Sequence, residues 1–244
     1  MIYFLTSSPF IPGSPDLNPA NSFLTNLKNA LMETAPGKKS LHLLHVCSDP
    51  TDFAATDLYS EQMRWALEEA GLPFPTVSYL DDRNFEMAAE LVHTADLIEL
   101  AGGSVPLQNE YFHRAHLKEA LADYQGVLIG ISAGSLDSAR IVYNVPESDE
   151  EADDTTRPRY YDGLALTETH IMPHYQADDF AFWKNSRLVS ILKEESHTTP
   201  IYVLPDSSYV LGKNGHETLF GEAFLLKDGL MSQISLPEGT YVIS

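Results

Sequence analysis

GVLIGISAGSLDSAR, Gly126–Arg140, is the stretch on which the reading of this chain turns. Residues 126–131 form a short apolar run of strand type, and beyond Gly134 the chain becomes polar and helix-like. Between them stands Gly130-Ile131-Ser132-Ala133-Gly134. A G-x-S-x-G set between a strand and a helix is the nucleophile-elbow pattern. Small residues two before and two after the serine let the chain reverse without clashes, so the hydroxyl projects from the top of a sheet. The helix that follows aims its N-terminal N–H groups and positive dipole end at the same spot. In this setting Ser132 is a candidate nucleophile, and the N–H of Ala133 a candidate oxyanion donor. The alternative is a serine between two packing glycines.

Outward from that stretch, strand-like and helix-like segments alternate. IYFLT (2–6), SLHLLHVC (40–47), TVSYL (76–80), DLIEL (96–100) and GVLIGI (126–131) read as strands. Segments 18–35, 56–71, 84–95 and 108–124 carry apolar residues at helical spacing, with Gly37 and Gly71 just past two of them. Such alternation predicts an α/β fold. Its expected form is a three-layer, doubly wound, mostly parallel sheet with helices on both faces. Sites on open sheets of this kind lie at the C-terminal ends of strands. Gly102-Gly103 and Ser132 both fall at such ends.

After Arg140 the pattern changes. ESDEEADDTTRPR (147–159) holds six carboxylates in its first eight residues and reads as a solvated loop. GLALTETHIMPHY (163–175) reads as extended, and 180–195 as a helix. The last fifty residues read as extra short strands near the C-terminus, joined by turns at KNG and KDG. Neither a repeat nor a linker divides the chain, so residues 1–244 are expected to form a single domain.

Composition limits the function. The 244 residues carry 35 acidic and 15 basic side chains, a formal net charge of −20. Phosphate backbones are repelled by such a chain, so nucleic acid is not an expected partner. The charge itself reads first as solubility, and second as attraction for a cationic substrate. No apolar run is long enough to cross a bilayer, and MIYFLTSSPF reads as a first strand, not a leader. A single cysteine excludes an internal disulfide and a four-cysteine zinc site. Cys47 reads as a buried small hydrophobe. A cytoplasmic location is the simplest expectation, and a homo-oligomer is compatible with the sequence.

A serine at neutral pH needs a base, and the base needs an orienting group. His42 and His45 lie within a strand pattern, His93 near a helix end, and His197 and His216 beside turns. His113 and His116 sit three apart on a charged helix with Glu110 and Glu119. That spacing suits a metal, but a solvated helix face is the plainer reading. His170 and His174 remain, in THIMPHYQ. Their even spacing puts both on one face of a strand, and Pro173 stiffens the chain before His174, as a strand end tolerates.

IGISAGS, preceded by LIELAGGSVPLQ and followed by YDGLALTETHIMPHYQ, resembles peptidase family S51, with YVLPDSSYVL a fainter match. That family contains dipeptidase E and cyanophycinase and belongs to the class I glutamine amidotransferase-like fold. The resemblance implies that Ser132 is the nucleophile and His174 the base. It pairs the N–H of Ala133 with one from the glycine loop, Gly103, as the oxyanion hole. It puts the acid shortly beyond the nucleophile helix, where Glu147 is the best match. Asp149, Glu150 and Glu151 crowd Glu147, and Glu168 sits near His174. One departure is Gly102-Gly103-Ser104-Val105, where the family loop often reads Gly-Gly-Asn-Thr. The implied activity is amide hydrolysis of short peptides, such as Asp-X dipeptides, through an acyl-enzyme, with no metal or organic cofactor. Two alternatives are a cyanophycinase-like hydrolase of aspartyl-arginine peptides and a non-catalytic binding member of the fold. A substrate carboxylate calls for a cation, with Arg140, Arg157, Arg159 and Arg187 as candidates.

Overall fold

The structure is a computed structural model that describes residues 1–11, 13–146, 148–175 and 187–243. Five strands, β1 (Ile2–Thr6), β2 (His42–Val46), β3 (Thr76–Leu80), β4 (Leu97–Leu100) and β5 (Val127–Ile131), run parallel in the order β1-β5-β4-β2-β3. The apolar runs predicted as strands are covered on both faces, as parallel strands must be. Leu43, Leu44, Leu97, Ile98, Leu100, Val127 and Leu128 are fully buried.

On one face Phe4, Leu43, Leu97 and Ile129 pack beneath α1 (Phe23–Thr34) and α2 (Phe53–Glu69). On the other, Leu44, Ile98 and Leu128 pack beneath α3 (Ala88–Thr94), α4 (Val105–Arg114) and α5 (Leu117–Leu121). The three-layer, doubly wound arrangement is as the alternation predicts.

One helix is split. Segment 108–124 reads as continuous, but α4 and α5 are separated at His116, whose φ is +51°. The apolar stripe explains the break. Tyr111, Phe112 and Ala115 face the core along α4, whereas Leu117, Leu121 and Tyr124 are the buried residues that follow. A continuous helix would turn the second set off the first set's stripe. One residue in the left-handed region resets the phase.

Beyond β5 come α6 (Ala133–Leu136), β6 (Ile141–Tyr143), α7 (Asp149–Asp153), β7 (Tyr160–Asp162), β8 (His170–Met172), α8 (Arg187–Glu195), β9 (Ile201–Val203), β10 (Tyr209–Lys213), β11 (His216–Phe220), β12 (Ala223–Lys227), β13 (Leu230–Ser235) and β14 (Thr240–Val242). β10, β11 and β14 extend the main sheet antiparallel on the free side of β1. β13-β12-β9-β8 forms a second sheet, and β6 pairs with β7. Part of the acidic segment expected as a loop is the helix α7. Its N-cap Ser148 accepts from the Glu151 N–H at 3.2 Å, and the first turn carries Asp149, Glu150 and Glu151. Both features stabilise a helix N-terminus. Among the described residues no helix is long and apolar enough to cross a membrane.

Candidate active site

Register assembles the site. β5 lies parallel to β1 with Ile131 opposite Thr6, so Ser132 emerges beside Ser7. β10 lies antiparallel to β1 with Tyr209 opposite Thr6, so the residues just before Tyr209 also arrive beside Ser7. Two distant loops thus meet at the C-terminal end of one strand.

Ser132 has φ +50° and ψ −109°. A non-glycine residue held there costs about 1–3 kcal/mol and persists only when its surroundings over-determine it. Here they do. The Ser132 N–H donates to the Thr6 carbonyl at 3.0 Å, and the Ser135 hydroxyl donates to the same oxygen at 2.9 Å. Both elbow glycines are sterically required. A Cβ at Gly130 would lie 2.9 Å from the Ser135 nitrogen, and one at Gly134 would lie 2.4 Å from the Leu100 carbonyl oxygen. The reversal therefore presses α6 directly onto β4 and β5.

The structure brings His174 and Ser132 together: the Ser132 hydroxyl donates to His174 Nε2 at 2.9 Å. His170 does not join them, although even spacing put both histidines on one strand face. β8 ends at Met172, and His174 turns through φ +59°, which re-aims its ring. His170 lines a separate cavity, and burial holds its imidazole below the usual pKa.

The carboxylate against His174 is Asp206, whose Oδ1 accepts from the ring Nδ1–H at 2.9 Å. That contact fixes the tautomer: Nδ1 carries the proton, and Nε2 is free to take one from Ser132. The hydrogen bond from His174 holds the Asp206 carboxyl below the usual range, partial burial opposes this, and the Ser7 hydroxyl adds to the lowering. Glu147, the acid expected from the sequence, lies outside the described residues. Glu168 is exposed and paired with Arg140, away from the imidazole. Asp206 stands in a Pro-Asp-Ser-Ser turn that leads from β9 into β10, and no pattern in the sequence singles it out.

Ser7 was missed altogether. It is fully buried. Its Oγ accepts from the His174 main-chain N–H at 2.7 Å and donates to Asp206 Oδ1 at 2.7 Å. One hydroxyl thus holds both the strained backbone of the histidine and the oxygen that orients its ring. Ser7→Ala is expected to lower kcat by about 10- to 100-fold with little change in KM, because a lost buried hydrogen bond is worth about 1–3 kcal/mol. Steady-state kinetics, with the melting temperature as a folding control, check this. An unchanged kcat removes Ser7 from the relay.

Gly103 and Ala133 line one cavity of about 600 Å³ together with Ser132 and His174. The Ala133 N–H is the first of α6, and a first-turn N–H has no intrahelical acceptor. The glycine loop lies against the elbow, for a Cβ at Gly102 would sit 3.4 Å from Ser132 Cβ. Buried Gln108 holds that loop, its amide donating to the Ala101 carbonyl at 2.8 Å and the Cys47 carbonyl at 3.0 Å.

Of the four candidate arginines, Arg157 lines this cavity. Asn144 anchors it through two 2.8 Å hydrogen bonds, and Glu151 pairs with it at 3.1 Å. Arg140 pairs with Glu168, and Arg187 with Asp153. The His113–His116 pair is divided by the helix break, and the His113 ring donates to the Asp162 carbonyl at 2.8 Å. Cys47 is buried, which pushes its thiol pKa up.

The C-terminal end of the elbow helix carries a buried acid. Asp137 is fully buried, its Oδ1 accepts from Asn109 at 3.1 Å, and Oδ2 has no partner among the described residues. Burial raises its carboxyl pKa well above the ordinary value, against the Asn109 hydrogen bond. The folded form keeps the proton while the unfolded chain releases it near pH 4. This contribution to stability is therefore full below about pH 4 and shrinks as pH rises toward the folded pKa. Asp137→Asn is expected to raise the melting temperature at pH 8 by about 2–4 °C for each kcal/mol recovered. The advantage should vanish at pH 3.5; an equal difference at both values overturns the assignment.

A strand-to-helix serine on a doubly wound sheet, backed by an imidazole, is the architecture of a serine-type peptidase of α/β class. The model for Peptidase family S51 matches residues 10–220, and the chain belongs to that family. The fold is similar to that of a peptidase from an acI-B1 Actinobacterium, with TM-score 0.69 and 18% identity over 99% of this chain and 96% of that one. It is also similar to a putative Peptidase E protein from Listeria monocytogenes EGD-e, with TM-score 0.57 and 17% identity over 96% of this chain and 98% of that one. No curated protein matches the sequence.

Proposed function

We propose that this serine peptidase cleaves short peptides, Asp-X dipeptides among them, through a relay of Ser132, His174 and Asp206. The unbroken chain of 2.9 Å contacts from Ser132 through His174 to Asp206 carries the reading. His174 Nε2 takes the hydroxyl proton as Ser132 Oγ attacks the scissile carbonyl. The negative charge that develops on the carbonyl oxygen meets the Gly103 and Ala133 N–H groups. Asp206 offsets the imidazolium, which then returns the proton to the departing amine. Water, deprotonated by the same imidazole, releases the acid product and restores Ser132. Each step moves only protons and one acyl group.

Arg157 is the cation positioned to read a substrate carboxylate. Its carboxylate would share the guanidinium with Glu151, so an acidic side chain is recognised by exchange within an existing ion pair. One experiment tests the reading: turnover of Asp-X, Arg-X and neutral X-X dipeptides by wild type and Arg157→Met, followed as free amino acids. Wild type is expected to favour Asp-X. Arg157→Met should raise KM for Asp-X about tenfold, or about 1.4 kcal/mol, and leave neutral dipeptides unchanged. Preference for Arg-X would move the substrate to aspartyl-arginine peptides. No turnover of any peptide would sink the proposal.

A further inference from the structure

β2 and β4 are neighbours in the parallel sheet, and their ladder ends where the Ala101 N–H donates to the Val46 carbonyl at 3.0 Å. Past that bond, no main-chain N–H among the described residues reaches the carbonyl of Cys47 or of Ala101. One side chain serves both. Gln108 is fully buried, and its Nε2 donates to the Ala101 carbonyl at 2.8 Å and to the Cys47 carbonyl at 3.0 Å. Both partners only accept, so the amide nitrogen must face them. Oε1 is then turned away, with no partner among the described residues. A methionine or leucine would fill the space without burying an orphan oxygen. The two donated bonds are what the amide supplies and an apolar side chain cannot.

Those bonds bracket the glycine loop. The Gln108 main-chain N–H donates to the Ser104 carbonyl at 2.9 Å as α4 begins. One residue therefore holds the chain at Ala101 through its side chain and at Ser104 through its backbone, and only Gly102 and Gly103 lie between. The far side is held as well. A Cβ at Gly103 would lie 2.6 Å from Ser48 Cβ, and Ser48 directly follows the Cys47 carbonyl that Gln108 binds. Gly102 lies against the other wall, at Ser132. The loop is thus wedged between the exit of β2 and the elbow, with one amide joining its base to the β2 exit.

Two successive glycines are the freest link a chain can carry, yet an oxyanion donor must be fixed to act. It helps most when it already stands about 2.7–3.1 Å from where the charge will develop, so that nothing is lost to reorganisation. Gly103 lines the cavity with Ser132 and His174, and its N–H meets no acceptor among the described residues. That N–H is open to a substrate oxygen and needs only to be held in place.

We propose that Gln108 is a positioning residue for the oxyanion hole: its amide fixes the loop so that the Gly103 N–H stands ready for the carbonyl oxygen that Ser132 attacks. The proposal rests on the peptidase reading and on Gly103 as a donor. Gln108 does not line the cavity and touches no reacting atom. It acts by denying the loop its freedom.

The test compares wild type with Gln108→Met, which keeps the length and bulk of the side chain and removes both N–H groups. Three measurements separate positioning from mere support. They are kcat and KM for Asp-Leu, the rate at which a fluorophosphonate modifies Ser132, and calorimetric affinity for Asp-Leu in a Ser132→Ala background. Both reactions place a developing negative oxygen in the same hole, so kcat and the phosphonylation rate should each fall about 100-fold. KM and the affinity for Asp-Leu should stay within about twofold. A lower melting temperature with kcat and phosphonylation within about threefold of wild type overturns the role, for the amide then only supports the fold. A loss confined to KM and affinity also overturns it, because the loop would then hold substrate and not the oxyanion. Wild type that neither cleaves Asp-Leu nor reacts with the fluorophosphonate overturns the peptidase reading, and the proposal with it. An active wild type with an equally active variant overturns the proposal alone. Should wild type react with the fluorophosphonate and spare Asp-Leu, the phosphonylation rate decides. Should Gln108→Met fail to fold, Gln108→Asn is read in the same way, since its amide is one methylene too short to span both carbonyls.

Discussion

Ser132→Ala is expected to lose about 10⁴-fold or more in kcat on every peptide that the wild type cleaves, with KM little changed. The reason is local. Alanine keeps the Cβ, and the bond that pins the elbow to β1 runs from the main-chain N–H of residue 132 to the Thr6 carbonyl. The turn, the oxyanion donors and the cavity should all survive the change. Only the atom that forms the acyl bond is gone. What remains is the binding and oxyanion contribution, which cannot by itself open a covalent route. Release of free amino acids under steady state measures the loss, and an active-site phosphonate probe should label wild type at Ser132 and leave the variant untouched. Turnover within tenfold of wild type would remove Ser132 from its role.

The second large effect concerns the acid. Asp206→Asn is expected to lower kcat by about 10³- to 10⁴-fold, since an amide cannot offset the imidazolium and can hold the ring in the wrong tautomer. Glu147→Gln should stay close to wild type. The reverse outcome would return the orienting role to Glu147. The pH dependence has a definite sign. The Asp206 carboxyl is held below its usual range by His174. The direction of that shift keeps it charged as pH falls into the usual carboxylate range. The acid limb of kcat/KM should therefore carry no proton of this carboxyl within the usual carboxylate range. A proton from it appearing there would mean that the carboxyl is not held down.

Much of this fold was legible because its cues are local. Parallel strands buried on both faces leave continuous apolar runs, and helices beneath them leave periodic ones. The elbow was legible for the same reason, since glycine two residues either side of Ser132 is demanded by contacts with Ser135 and Leu100. Asp206 was not, because it meets His174 through the antiparallel pairing of β1 with β10, and no pattern near either residue announces that pairing. Ser7 was hidden by the same register. The helix break at His116 could have been read from the slipped apolar stripe, and α7 from Ser148 followed three residues later by Glu151. Charge density in that segment masked the capping signal.

β1 ties the site to the order of synthesis. Its last residue, Thr6, receives the elbow, Ser7 just beyond it receives the acid, and Ser7 and Asp206 are 199 residues apart in the chain. β1 is thus among the last of these strands to complete its neighbours, since β10 follows it by most of the chain's length, and pairings of such range form slowly. A nascent chain already carrying Ser132 and His174 still lacks the strand that brings the carboxylate. On the proposed relay, the Ser132–His174 pair gains its carboxylate only when β10 closes against β1.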